Sequence, residues 1–325
     1  DDVESRGLGD VYKRQVFKTP VNKIRLFEHG APGSQNFKLT RKYYTEDMPD
    51  GRVKHIVQNI TDPDIVPYIP DGIGNSTDRQ RIPAVLIIPG GAFRRLVYNF
   101  EGEDVAKWLN SMGIAAFVLE CRLPSDEHDN AEDVPLIDAM RAMRVIRGRA
   151  QEFGIDEAKI GVMGFSAGGF MAALLSTAYE SDVYADYKYK DEYDKLSARP
   201  DFAVCSYPVI SIDDCIEAGK RYMSEEQVLE RISDSKAKIL HKYNPDKLVR
   251  PDMPPVFICE TDDDRTTLSE NSVGFYMAAR KAGVSAELHI FRTGGHGYGC
   301  GDDFAQTGEW KVLFTKWIKS IGIIS

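Results

Sequence analysis

The sequence predicts an α/β fold, a mostly parallel, doubly wound sheet with helices on both faces. Three observations predict it. Ala84–Pro89, Ile114–Glu120, Lys159–Gly164, Asp201–Tyr207 and Pro255–Glu260 are short continuous apolar runs, the pattern of strands buried on both faces. Helical stretches lie between them, and strand alternating with helix is the signature of parallel βαβ units. No internal repeat interrupts the order.

Each element can be justified along the chain. The 325 residues allow one large α/β domain or two small ones. Residues 1–15, DDVESRGLGDVYKRQ, include a stretch that resembles a translated sequencing adapter, and they are set aside from fold reasoning. The given sequence need not begin at the true N-terminus, so the lack of a signal peptide carries little weight. Residues 16–50 are polar and aperiodic and read as an N-terminal arm; residues 51–325 read as a single domain. Arg52–Ile60 alternates loosely and suggests a strand, and Asp64–Pro70 another that its prolines confine to an edge. Asp71–Arg81 is a loop by composition. Glu101–Met112 is the first helix. Val134–Phe153 is the second, with Leu136, Met140, Met143, Ile146, Ala150 and Phe153 spaced by three and four. Asn271–Ala282 and Trp310–Ile321 complete the helices, and Ala286–Phe291 is a late strand. Tyr179–Arg199 and Ser211–Arg250 interrupt the alternation. The second is a helical excursion, read either as a partial cap over the site or as a solvated insertion.

Charge and composition exclude several function classes. Asp plus Glu outnumber Lys plus Arg by 50 to 41, and an acidic chain without a basic block is poorly suited to nucleic acid or anionic membranes. The longest apolar runs fall far below the ~20 residues that span a bilayer. Neither nucleic acid nor membrane is therefore expected as a partner, and the oligomeric state is not legible. The five cysteines, at 121, 205, 215, 259 and 300, form no CxxC pair and read as buried free thiols. That mildly favours a reducing, cytoplasmic setting while leaving localisation open.

The chemistry concentrates near the carboxyl ends of the strands. Gly164-Phe165-Ser166-Ala167-Gly168 follows one strand and opens a helix. A serine there is lifted out of the sheet on a tight turn, with a helix N-terminus facing any developing negative charge. Its hydroxyl needs a base. Of the six histidines, His29 lies in the arm, His55 and His289 in strands, His128 in an acidic loop and His241 in the excursion. His296 alone sits in a glycine-rich loop, Thr293–Gly299, after the last strand, free to project over the strand ends. An acid should orient that imidazole. Asp262-Asp263-Asp264 follows the strand Pro255–Glu260; Asp264 is the candidate, and the other two read as solvated. Ser166, Asp264 and His296 are separated by 98 and 32 residues, room for a strand plus the excursion and then for a helix plus a strand. Backbone amides of Gly91, Ala92 and Ala167 are candidates for an oxyanion hole. No grouping of His and carboxylates has a convincing metal-ligand spacing.

These residues resemble the α/β-hydrolase esterases of the bacterial carbohydrate-esterase type, the acetyl-xylan and feruloyl esterase-like group. The resemblance covers roughly residues 50–320 and rests on IIPGGAF at 87–93, EGEDVAKWLNSMGIAAFVLECRLP at 101–124 and IGVMGFSAGG at 160–169. It continues through SARPDFAVCSYPVIS at 197–211, ENSVGFYMAARKAGVSAELHIF at 270–291 and GGHGYG at 294–299. It implies a Ser166–His296–Asp264 acyl-enzyme mechanism, no metal or organic cofactor, and a small acylated carbohydrate as partner. Phe93 and Tyr298 become candidate substrate contacts, with Phe93 favouring short acyl groups. Three positions depart from the family pattern: Glu260 stands where histidine is common, Thr267-Leu268 where Val-Pro is usual, and Ala92 where a third glycine is usual. A prolyl-oligopeptidase-like peptidase and a non-catalytic binder on the same scaffold are the alternatives. The first usually carries a large N-terminal propeller, whereas only 165 residues precede Ser166 in this sequence and most are taken by the sheet, and the second normally lacks a triad member.

Overall fold

The computed structural model describes residues 17, 20–73, 81–126, 128–221, 224, 226–228, 235–301 and 305–325. The adapter-like stretch 1–15, most of the 71–81 loop and part of the 211–250 excursion lie outside these residues. The chain runs through β1 (Ile24–Arg25), β2 (Lys42–Asp47), β3 (Val53–Gln58), β4 (Asp64–Tyr68), β5 (Ile82–Ile88) and β6 (Leu96–Val97). A π-helical turn, Asn99–Glu103, leads into α1 (Asp104–Ser111), followed by β7 (Ala115–Glu120), α2 (Val134–Gly148) and α3 (Ala150–Phe153). Next come β8 (Ile155–Phe165), α4 (Ala167–Ala178), β9 (Ala203–Ser206), α5 (Ile212–Lys220) and α6 (Ser235–Lys242). The chain closes with β10 (Val256–Thr261), α7 (Ser269–Lys281), β11 (Ala286–Phe291), α8 (Ala305–Gly308) and α9 (Trp310–Ser320).

Among the described residues the main sheet has the order β1-β4-β7-β5-β8-β9-β10-β11. The strands from β7 through β11 in that order pair in parallel, while β4 pairs antiparallel with β7 and β1 antiparallel with β4. Every residue of β7, β9 and β10 is buried, as a strand with helices on both faces must be. Parallel strands joined by helices end on one edge, and that edge collects the loops carrying Gly91, Ser166, Asp264 and His296. The apolar period of Val134–Phe153 yields two helices rather than one. The break falls at Arg149 (φ −103°, ψ 18°), and α3 then stops at Gly154, whose φ of 67° suits a left-handed cap.

The arm is more ordered than its composition suggests. β2 pairs with β3 in a second, antiparallel sheet of order β2-β3-β6, so the predicted strand at 52–60 does not join the main sheet. Leu26, Phe27 and Ala31 enter the main core. Lys23 and Arg41 each lie 2.6 Å from Glu120, a fully buried carboxylate at the end of β7. β4 is second from the edge, but β1 covers only Asp64 and Ile65, leaving Pro67 outside that ladder. Cys121, Cys205 and Cys259 are buried free thiols, and Cys300 is buried as well. Among the described residues no helix is long and apolar enough to cross a membrane.

Candidate active site

The serine turn is built by steric necessity. Ser166 lies between β8 and α4 with φ 54° and ψ −117°, a backbone that L-residues rarely adopt. The glycines around it permit the closure: a Cβ at Gly164 would strike the carbonyl of Gly168, and one at Gly168 the carbonyl of Ile88. The result is a nearly buried hydroxyl, 8% exposed, at the N-terminus of α4.

His296 reaches that hydroxyl. Its Nε2 lies 2.8 Å from Ser166 Oγ, and its Nδ1 lies 2.6 Å from Asp264 Oδ2. An ionised carboxylate only accepts, so Nδ1–H donates to Asp264 and Nε2 is left to accept the serine proton. Asp264 is 2% exposed. Its Oδ1 accepts the amides of Thr266 (2.7 Å) and Thr267 (3.0 Å), and Thr267 Oγ1 sits 3.0 Å from Oδ2. Burial works to raise this carboxyl, but the His296 hydrogen bond and charge and the two amides outweigh it, and the carboxyl lies below its ordinary range. Thr267, a departure from the family pattern, thus helps to hold the acid.

Asp263 was expected to be solvated. Its side chain is exposed, yet Oδ1 accepts the amides of Gly294 (2.9 Å) and Gly295 (2.8 Å), and Thr261 Oγ1 donates to the carbonyl of Gly295 at 2.9 Å. The histidine loop is therefore anchored to the acid loop at two points. Glu260 is fully buried between the Thr261 amide (2.9 Å) and the Ser272 hydroxyl (3.2 Å). Burial and the neighbouring Asp264 charge push its carboxyl well above the ordinary range.

Gly91, Ala92 and Phe93 have φ of 139°, 57° and 58°, so the candidate oxyanion loop is folded tightly through the left-handed region at two non-glycine positions. Ala167 is the first residue of α4, where an amide has no intrahelical acceptor. Phe93 packs edge-on against Phe170 at 5.5 Å and lines a cavity with Leu96, Leu123, Pro135, Ala167 and Met171. The free space is about 10 Å³, scarcely the volume one water needs. Tyr298, the other candidate substrate contact, is buried. It is 4% exposed and packs edge-on against Tyr207 at 4.5 Å, while Tyr207 packs in turn against His296 at 5.0 Å. A flanking glycine makes a loop residue look accessible, and the ring's apolar area carried it inward instead.

The excursion is tied to the start of α2, which lines this cavity through Pro135. Lys242 Nζ lies 2.6 Å from Asp133 Oδ1 and Tyr243 donates to the same carboxylate at 2.5 Å, two residues before Pro135. Among the described residues no three His, Cys, Asp or Glu side chains group as a metal site.

Residues 73–278, more than half of the chain, match the family model BD-FAE. The chain belongs to the BD-FAE family. This places it among the α/β-hydrolase carbohydrate esterases. It is 31% identical over 240 residues to an acetylxylan esterase of Xylanibacter ruminicola, covering 73% of this chain and 45% of that protein. It is 29% identical over 269 residues to endo-1,4-beta-xylanase B of Butyrivibrio fibrisolvens, covering 80% of this chain and 40% of that one. The chain thus spans less than half the length of these two relatives. The solved acetyl ester-xyloside bifunctional hydrolase of Caldicellulosiruptor lactoaceticus is similar along almost the whole chain, with 35% identity, 93% and 97% coverage and a TM-score of 0.70. As a BD-FAE member with the α/β-hydrolase fold, the domain described is a carboxylic ester hydrolase. The sequence reading does not single out Asp263 as an anchor of the histidine loop, although its place in the aspartate run is a visible signal.

Proposed function

We propose that this domain removes acetyl groups from xylan or xylo-oligosaccharides through an acyl-enzyme on Ser166. The observation that carries the reading is the continuous hydrogen-bonded line Ser166–His296–Asp264 at a strained strand-to-helix turn. His296 Nε2 takes the Ser166 proton as Oγ attacks the ester carbonyl, and Asp264 stabilises the imidazolium that forms. The tetrahedral oxyanion is received by the amides of Gly91, Ala92 and Ala167. His296 then protonates the departing sugar oxygen, and a water, activated by the same imidazole, releases acetate. No cofactor takes part.

Two things support acetyl over larger groups. The names of the relatives speak of acetylxylan and acetyl ester-xyloside, and the cavity beside Ala167 has little space to spare. Acetate release from acetylated xylan tests the substrate, alongside p-nitrophenyl acetate through octanoate. Labelling by a fluorophosphonate tests the nucleophile. The wild-type chain should label and Ser166→Ala should not, with only residual hydrolysis left. Near-wild-type turnover by Ser166→Ala would remove Ser166 from the mechanism, and a preference for octanoate over acetate would remove the acetyl reading.

A further inference from the structure

One buried carboxylate has no part in the reaction just described. Glu101 lies in the π-helical turn ahead of α1, is 5% exposed, and touches two of the loops that build the site. Its Oε2 accepts the amide of Gly90 at 2.8 Å, and its Oε1 accepts the hydroxyl of Tyr207 at 2.9 Å. The same Tyr207 hydroxyl accepts the amide of Gly299 at 3.0 Å. One chain of hydrogen bonds thus runs from the loop after β5, through the end of β9, to the loop after β11.

Resting on the reading of Ser166 and His296 above, we propose that Glu101 is a positioning residue that holds the oxyanion loop and the histidine loop in register through Tyr207. The direction of each proton follows from the partners. Tyr207 receives Gly299 N–H, so its own proton must go to Glu101 Oε1; Gly90 N–H goes to Oε2. Burial pushes the Glu101 carboxyl above its ordinary range, against the pull of the His296 charge, the Tyr207 hydroxyl and the Gly90 amide, and both of its oxygens are taken up as acceptors. Because Gly90's amide is spent on Glu101, it is not an oxyanion donor. It fixes the loop whose next two amides, those of Gly91 and Ala92, are. The fit leaves no slack: a Cβ on Gly90 would meet the carbonyl of Phe165, lie 2.7 Å from Glu101 Oε2 and 3.0 Å from Ser166 Cβ. Tyr207 holds a left-handed φ of 38°, strain that a ring pinned at its hydroxyl and packed against His296 can sustain.

The test uses Glu101→Gln, Tyr207→Phe, the double variant and Ser166→Ala in the full chain, with kcat and KM measured separately on p-nitrophenyl acetate. Glutamine keeps one acceptor but turns an NH₂ toward either Gly90 or Tyr207. Glu101→Gln should lower kcat about 10-fold or more and leave KM within about 2-fold. Tyr207→Phe should lower kcat similarly with the same small effect on KM. The double variant should be no worse than the poorer single, because both break one chain. Unchanged kcat in both folded single variants overturns the inference, as does a loss that falls on KM as much as on kcat, which marks packing alone. Should Glu101→Gln fail to fold, the split between kcat and KM in Tyr207→Phe decides. Full activity of Ser166→Ala would instead overturn the reading on which the inference rests, whatever the Glu101 variants do.

Discussion

Asp262, Asp263 and Asp264 are consecutive, yet the loop gives each a different task. The side chain of Asp262 is exposed, that of Asp263 holds two amides of the histidine loop, and that of Asp264 is buried against His296. Asp264→Asn should lower kcat by about 10⁴, since an amide presents the wrong partner to Nδ1–H. Asp262→Asn should leave it unchanged. Asp263→Ala should fall between, with a loss of about 10-fold for a loosened loop. Steady-state rates on p-nitrophenyl acetate rank the three, and a crippling Asp262 change would show that the loop register is wrong. Phe93 belongs to the same scale. Phe93→Ala opens the cavity and should raise kcat/KM for butyrate relative to acetate by roughly 10-fold, a discrimination of about 1–3 kcal/mol. An acyl profile identical to wild type would mean that another wall limits the pocket.

Elements are held together by a few buried polar ties. Arg122, just past β7, and Asp138 of α2 are both fully buried, with Arg122 Nη2 2.6 Å from Oδ1 and its own amide 2.8 Å from Oδ2. Asp138→Ala leaves a guanidinium buried without its anion and should cost about 3–5 kcal/mol, read as a fall in the urea midpoint. A midpoint shift under about 1 kcal/mol would show that water reaches Arg122. His128 ties the arm to the loop after β7, its Nδ1 2.9 Å from Ser34 Oγ. Burial, helped by the Arg122 charge, lowers its imidazole to about 4. The unfolded chain binds that proton near pH ~6.5, so the folded state binds fewer protons between the two values. The stabilisation is present above the unfolded value and is lost as pH falls from about 6.5 to about 4. His128→Gln should flatten the stability curve across that window, while an unchanged slope in chemical denaturation would assign the acid sensitivity to other groups.

At the scale of the whole molecule, the arm belongs to the domain. Lys23 and Arg41 neutralise the buried Glu120 and Asp64, and Leu26 and Phe27 complete the core. Removing residues up to 47 would strip both cations from Glu120, remove β1 and take β2 from the small sheet. Such a chain should be insoluble or unfold several kcal/mol more easily, the usual result of unpairing a buried charge. A truncated chain with the wild-type melting temperature would mean that residues 16–50 only decorate the surface.

The α/β order, most strand and helix positions and the serine turn were determined by local properties that a sequence carries openly. Buried parallel strands need continuous apolar runs, helices need a 3.6-residue period, and a backbone closed on itself needs glycine at Gly164 and Gly168. Even the order of Ser166, Asp264 and His296 was legible, because a doubly wound sheet sends each loop to the same edge. Only the tertiary structure decided that β2 and β3 leave the main sheet, that Tyr298 turns inward, and that Asp263 and Glu101 each grip loops distant in the chain. The difference is physical. Periodicity records which face of an element is buried, whereas strand pairing and buried hydrogen bonds depend on which partner arrives from far along the chain. Glu101 and Gly299 are nearly two hundred residues apart in sequence, and only folding brings them to the two sides of one tyrosine hydroxyl.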